Sequence, residues 1–146
     1  MLGRNAIDKA IAKGTLKFDG CLRGDDLLLS LGGPLLTFEP IGKAVDPYDG
    51  KSVQSLYGRL LVDWKKFILR PQQLVLAQVR ERIELNPRTI GLIGALSHAA
   101  RLGLSTQLNS TKVNASFHGM ITLELWNAGP RPLILRIRAF SHSHRR

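Results

Sequence analysis

The sequence predicts a mainly β fold, an antiparallel barrel or sandwich with little helix. Short apolar or alternating segments, separated by turns rich in Gly, Pro and Asn, fill most of the 146 residues, and no long helical periodicities alternate with them. A chain of this length with 44% hydrophobic residues can bury one sizeable core. We therefore predict a single domain over residues 1–146, with residues 140–146 as a basic tail.

The first predicted element is a short amphipathic helix near the N-terminus. Asn5 can cap its start, and Gly14 can end it in a left-handed conformation. Ile7, Ala10 and Ile11 fall on one face at helical spacing. That face should pack against the body of the domain.

Strands are predicted over residues 15–18, 26–31 and 35–38, with residues 32–34 (Gly-Gly-Pro) as the turn between the last two. Residues 39–58 carry several prolines and glycines and little periodicity. We expect them to form a long surface excursion rather than a linker between domains.

Beyond residue 67 the chain is predicted as one short strand after another. The clearest patterns cover residues 73–79, 82–85, 89–93, 120–126 and 133–140. In the fourth of these, Ile121, Leu123 and Leu125 share one face, which predicts a strand with that face in the core. Glu124 falls on the opposite, polar face.

One or two helical turns are predicted over residues 97–102. Ser97 can cap them, because a serine hydroxyl at a helix start accepts a hydrogen bond from a free backbone amide. Gly103 can end them.

The net charge of +10 and the pI of about 10.5 favour an acidic partner. Nucleic acid, nucleotide phosphates and an acidic protein surface all qualify. Nucleic-acid modules usually gather their cations on one face or interleave them with exposed aromatic residues, whereas here the cations are dispersed and only 6% of residues are aromatic. Nucleic-acid binding is therefore the weaker alternative.

Other compositional features concern the compartment. No apolar run approaches the ~20 residues that span a bilayer, and the N-terminus lacks the pattern of a secretory signal. Cys21 is the only cysteine, which excludes an internal disulfide and a thiolate metal cluster. We expect an unexported protein without membrane segments, located in the cytoplasm or in a virion.

Two segments, residues 92–104 and 117–127, carry a motif. It is similar to the Gly-Arg-Ser-Ser-x-x-Arg-x-Gly and Gly-x-(apolar)-x-Leu-Glu patterns of the deoxycytidine triphosphate (dCTP) deaminase and dUTPase family. The matching residues are Ser97, Arg101, Gly103, Gly119 and Glu124. The opening residues 6–16 resemble the deaminase branch in particular.

The resemblance implies a dUTPase-like distorted jelly-roll barrel with a short N-terminal helix and one short internal helix. It also implies a homotrimer whose sites are shared between subunits. Glu124 would activate the attacking water, with Ser97 and Arg101 organising the site and binding phosphate, and with Ser110 and Asn114 as further nucleotide-binding candidates. No cofactor and no protein-bound metal are expected. Mg²⁺ would accompany the nucleotide only if the protein is active.

Several positions depart from the family pattern. Leu96 replaces the first arginine, Ala95 a glycine, His98 the second serine and Asn114 an aspartate. The sequence printed here ends at Arg146, without the family's C-terminal arm. An arginine makes charge-assisted bonds to phosphate worth roughly 1.5–3 kcal/mol each, so we expect weak triphosphate binding.

Two functions stay open at this point. The sequence favours a non-catalytic homotrimeric assembly protein, for example a capsid decoration or cement protein at a three-fold position, docked on an acidic shell. Its docking residues would be Arg136, Arg138, Arg145 and Arg146. The alternative is a dCTP deaminase with weakened triphosphate binding.

Plain structural roles also stay open for the site candidates. Glu124 suits an ordinary place on the polar face of a strand, Ser97 a helix cap, and Arg101 an ion pair at an interface.

Overall fold

A computed structural model describes residues 2–40 and 42–137 of the chain. Within these residues lie three helices: α1 (Arg4–Ala12), α2 (Gly50–Leu56) and α3 (Ser97–Arg101). The strands are β1 (Leu16–Phe18), β2 (Cys21–Arg23), β3 (Asp26–Leu28), β4 (Leu31–Phe38), β5 (Tyr57–Leu61), β6 (Lys66–Leu69), β7 (Leu74–Leu85), β8 (Gly91–Leu92), β9 (Leu104–Ser105), β10 (Lys112–Val113), β11 (His118–Asn127) and β12 (Leu133–Arg136).

The strands form one six-stranded sheet and three two-stranded pairs. The sheet runs β5-β4-β7-β11-β9, with β1 also paired to β7, and the small pairs are β2–β3, β6–β12 and β8–β10. All of these pairings are antiparallel, which confirms the predicted mainly β class. The hydrogen bonds among the described strands do not close a barrel.

The centre of the sheet is β7, a single strand of 12 residues. The sequence divided it in two, at residues 73–79 and 82–85, and that division is wrong. The strand stays continuous because β4, β1 and β11 all pair with it. Its inward side chains, among them Val75, Ala77 and Val79, are fully buried by this chain itself.

The predicted turn at Gly32, Gly33 and Pro34 lies inside β4. A Cβ atom at Gly32 would come within 2.8 Å of the Arg80 Cβ. One at Gly33 would come equally close, 2.8 Å, to the Gln78 Cβ. The glycines let β4 approach β7, and the register shifts at this point, which is where a strand tolerates proline.

The predicted N-terminal helix is present, but Asn5 does not cap it. The helix begins one residue earlier, with Gly3 in the N-cap position and no side-chain cap from that residue. Instead, the Arg4 amide donates to the Asp25 Oδ1 at 2.7 Å. The stop at Gly14 is confirmed by its positive φ of 68°, and the apolar face packs against the core as predicted.

Residues 39–58 are not wholly irregular, because they contain α2. The fold therefore has two internal helices within the described residues, where one was predicted. Asp49 caps α2 by accepting bonds from the amides of Lys51 and Ser52, each at 3.2 Å. Because α2 buries none of its residues, its sequence lacks the apolar periodicity from which a helix is predicted.

No helix in the described part of the chain is long and apolar enough to cross a membrane. Arg138 and the predicted basic tail, residues 140–146, lie outside the described residues.

Candidate active site

Glu124 occupies a defined place on β11. Its neighbours Leu123 and Leu125 are buried in the core, so the Glu124 side chain lies on the opposite face of the sheet, where it is half-buried. Its Oε2 accepts a hydrogen bond from the Leu108 amide at 2.9 Å. Within residues 2–40 and 42–137 the Oε1 has no hydrogen-bond partner. One oxygen is held, and the other can accept a proton.

Glu124 lines a cavity of about 230 Å³. Two residues predicted to bind nucleotide, Ser110 and Asn114, line the same cavity. The sequence did not single out Lys112 and Phe117, which also line it. The sequence held one signal for Lys112 and Phe117, since both lie within three residues of the nucleotide-binding candidate Asn114. The cavity thus combines a carboxylate, an ammonium group, hydrogen-bonding side chains and an aromatic ring.

The loop between β9 and β10 carries Ser110 and forms one wall of the cavity. Ser105 Oγ donates to the Gln107 carbonyl, and Thr106 Oγ1 donates to the Gln107 side chain. These local bonds and the bond from Leu108 to Glu124 hold the loop against β11. The wall is therefore positioned by contacts that are partly distant in sequence.

The helix α3 places two other candidates elsewhere. Ser97 and Arg101 are exposed and do not line the cavity that contains Glu124. Ser97 is the first residue of α3 and not its cap, because Leu96 holds the extended N-cap position and the structure has no side-chain cap bond there. The stop at Gly103 is confirmed by its φ of 89°. Arg101 makes no ion pair with the described residues.

Close backbone contact fixes α3 against the end of β11. A Cβ atom at Gly103 would lie 2.4 Å from the Gly129 nitrogen, and one at Gly129 would lie 2.3 Å from the Leu102 oxygen. Both positions therefore require glycine. Asn127 holds the Gly129 amide through its Oδ1 at 2.9 Å.

Four residues form a row across the outer face of the sheet. They come from β5, β4, β7 and β11 in that order and are Leu60, Leu36, Leu76 and Glu124. Leu60, at the edge, is 61% exposed. An apolar strip that this chain leaves partly uncovered thus leads directly to the candidate carboxylate.

The predicted docking arginines are only partly described. Arg136 is exposed on β12 and lies opposite Lys66 of β6. Arg138, Arg145 and Arg146 lie outside the described residues. In the described part of the chain, no cluster of three or more His, Cys, Asp or Glu residues could hold a metal ion.

The antiparallel β fold and the motif residues together define the class of this domain, a mainly β domain with the dCTP deaminase and dUTPase pattern on α3 and β11. The sequence pattern of the dCTP deaminase-like family matches residues 2–139, and the chain belongs to that family.

Individual relatives agree with this assignment. The protein named "dCTP deaminase, dUMP-forming" from Methanoculleus marisnigri is 30% identical over 87% of this chain and 69% of its own length. The dCTP deaminase of Haemophilus ducreyi is 36% identical over 53% of this chain and 40% of its own.

A solved structure shares the fold. The 2'-deoxycytidine 5'-triphosphate deaminase from Agrobacterium tumefaciens superposes on 93% of this chain with a TM-score of 0.61 and 17% identity. This chain spans 44% of that protein's chain.

Proposed function

We propose that this chain binds deoxycytidine nucleotides and deaminates them by hydrolysis, with Glu124 as the general base. The observation that carries the proposal is the state of the carboxylate, which has one oxygen held by the Leu108 amide and the other without a protein partner in the described residues, at the wall of a polar cavity. The names of the relatives support this alternative over the non-catalytic capsid role that the sequence favoured.

The reaction uses the carboxylate twice. Glu124 takes a proton from a water molecule, whose oxygen forms a bond to the ring carbon that carries the amino group. The carboxyl group then returns the proton to the amino nitrogen, the C–N bond breaks, and ammonia leaves. The proton of the new hydroxyl group moves to the adjacent ring nitrogen, which gives the uracil ring. A cytosine ring in this cavity lies close to the Glu124 carboxylate, and Phe117 offers an aromatic surface on which that ring can pack. Mg²⁺ would enter only as the counterion of a polyphosphate substrate.

A second copy of the chain is proposed to complete the site. Ser97 and Arg101 are exposed on α3 and do not line the cavity of their own chain. The apolar strip that ends at Glu124 offers a surface for another copy to cover. This arrangement agrees with the homotrimer that the resemblance implies.

Turnover of dCTP, deoxycytidine monophosphate (dCMP) and deoxycytidine tests the proposal, followed by ultraviolet absorbance and by ammonia release. We expect Glu124→Gln to abolish deamination while leaving the fold intact. The control is Glu39→Gln, which changes an exposed carboxylate away from the cavity. If Glu124→Gln deaminates as fast as the wild-type chain, the assignment of the base is wrong.

Mixing variants tests the shared site. Arg101→Ala and Glu124→Gln should each be inactive alone and should regain activity when the two chains are refolded together, because some sites then combine an intact Glu124 with an intact Arg101. Absence of recovery, with mixed oligomers shown by mass spectrometry, would place both residues in the same site of one chain. An active Arg101→Ala variant would place Arg101 outside the site.

A further inference from the structure

We infer that Ser116 is a positioning residue for the nucleotide site, and that it acts through the conformation of its backbone rather than through its hydroxyl group. Asn114 and Phe117 line the cavity that contains Glu124, whereas Ser116 lies between them in the chain and does not line it. This role rests on the proposed function, and it adds a residue that sets how well the cavity binds its substrate.

Residues 114–117 form a tight turn. The Phe117 amide donates to the Asn114 carbonyl at 3.2 Å, which is the hydrogen bond between the first and fourth residues of a β-turn. Ser116, the third residue, has a φ of 62°, whereas Ala115, the second, does not have a positive φ. A positive φ at the third residue alone is typical of a type II turn, in which that residue is usually glycine or asparagine. Serine is therefore strained at this position.

Two backbone hydrogen bonds to the end of β7 hold the turn in this form. The Ser116 amide donates to the Asn86 carbonyl at 3.2 Å, and the Leu85 amide donates to the Phe117 carbonyl at 2.8 Å. A type I turn would suit serine better, but it requires the peptide group between Ala115 and Ser116 to reverse. Because the Ser116 amide belongs to that peptide group, the reversal would break its bond to Asn86. The strain at Ser116 and this hydrogen bond therefore oppose each other.

The Ser116 hydroxyl group has no comparable role. Ser116 is exposed, and its side chain makes no hydrogen bond with residues 2–40 and 42–137. The cavity depends instead on the left-handed backbone of Ser116, because the type II turn brings Asn114 and Phe117 to the same cavity wall. In a population of molecules, the apparent affinity for a nucleotide falls in proportion to the fraction whose turn keeps this conformation.

Four variants separate the backbone of residue 116 from its hydroxyl group. Ser116→Gly and Ser116→Asn remove the hydroxyl group but adopt the left-handed conformation readily. Ser116→Thr keeps the hydroxyl group, but it is β-branched, as Ser116→Val is, and β-branched residues resist that conformation. Isothermal calorimetry of the full chain with dCTP and Mg²⁺ measures the affinity of each variant.

We expect Ser116→Gly and Ser116→Asn to bind dCTP at least as tightly as the wild-type chain. The two β-branched variants should bind it about 10-fold more weakly. In turnover assays these two should raise KM and keep most of the wild-type kcat, because Glu124 and its hydrogen bond from Leu108 are unchanged. Ser55→Thr, at an exposed serine of α2 away from the cavity, is the matched control and should behave like the wild-type chain.

The outcomes separate this role of Ser116 from the proposed function. If Ser116→Thr binds dCTP as tightly as the wild-type chain, or if Ser116→Gly binds it more weakly, the backbone role of Ser116 is wrong. A lowered kcat with an unchanged KM in the β-branched variants also overturns it. If binding follows the expected order but the wild-type chain releases no ammonia, the role of Ser116 stands and the proposed function fails. Absence of dCTP binding by the wild-type chain overturns both.

Circular dichroism verifies that the β-branched variants are folded. Ser116→Gly relieves the strain and should raise the urea midpoint of unfolding, so its affinity decides the question even where a β-branched variant is unfolded.

Discussion

Replacing Asn127 should destabilise the domain more than any exposed substitution. The side chain is completely buried at the end of β11 and makes three hydrogen bonds to backbone groups. Its Nδ2 donates to the Leu69 carbonyl at 3.0 Å and to the Arg131 carbonyl at 2.8 Å. Its Oδ1 accepts from the Gly129 amide at 2.9 Å. One amide group thus joins β11 to β6 and to the turn that contacts α3.

The magnitude follows from what Asn127→Ala leaves unpaired. The bonds to Leu69 and Gly129 are buried, whereas the bond to Arg131 is only partly buried and its carbonyl can be hydrated. An unsatisfied buried polar group costs about 1–3 kcal/mol, so two of them give a loss of about 2–6 kcal/mol. Domains are stable by only about 5–15 kcal/mol, so the variant should be close to unfolding at moderate temperature.

Urea unfolding of the wild-type chain and of three variants measures this loss. Asn127→Asp keeps the oxygen that accepts from the Gly129 amide, but it places a second carboxylate oxygen against the carbonyls of Leu69 and Arg131. It should therefore be at least as unstable as Asn127→Ala at neutral pH. Asn109→Ala, at an exposed asparagine, should stay within about 0.5 kcal/mol of the wild-type chain. A loss below about 1 kcal/mol for Asn127→Ala, or a stable Asn127→Asp, would refute the reasoning.

Three further predictions concern the loop, the helix end and an ion pair. Leu108→Pro removes the amide that holds Glu124, so deamination should fall by roughly 10–100-fold in turnover assays, whereas Leu108→Ala keeps the amide and most of the activity; equal rates for both variants would remove the loop from the mechanism. Gly103→Ala places a Cβ atom against the backbone of Gly129, at a position whose φ is 89°, and should lower the free energy of unfolding in urea by at least about 1–3 kcal/mol. Gly94→Ala adds a Cβ atom in open space and should lower it little. A hydrogen bond from Lys17, at 2.7 Å, holds the pKa of Glu84 below its usual value, so the stabilisation by this pair is present at neutral pH and is lost as the pH falls through that lowered pKa. Carboxyl NMR should show the Glu84 pKa rising in Lys17→Ala, and an unchanged value would contradict the role of this pair.

Much of the fold was predictable because local patterns report burial and chain reversal. The alternation along β11 placed Ile121, Leu123 and Leu125 in the core, and all three are buried. The glycines at 14 and 103 were predicted as helix stops, and both have the positive φ that other residues rarely adopt. The motif residues identified the family, since they stand at fixed spacings in the chain.

The tertiary structure decided the features that depend on contacts between distant residues. Gly32 and Gly33 have the local character of a turn, yet the approach of β7 keeps them in a strand. The sequence predicted Glu124 as a candidate base, but the Leu108 amide that holds it lies 16 residues away. Asn127 opens an Asn-Ala-Gly-Pro segment that is typical of a turn, whereas its side chain reaches Leu69, 58 residues away in sequence. Periodicity and turn propensity describe neighbours along the chain, whereas these bonds depend on strand register and close backbone approach, which are fixed only when the sheet is assembled.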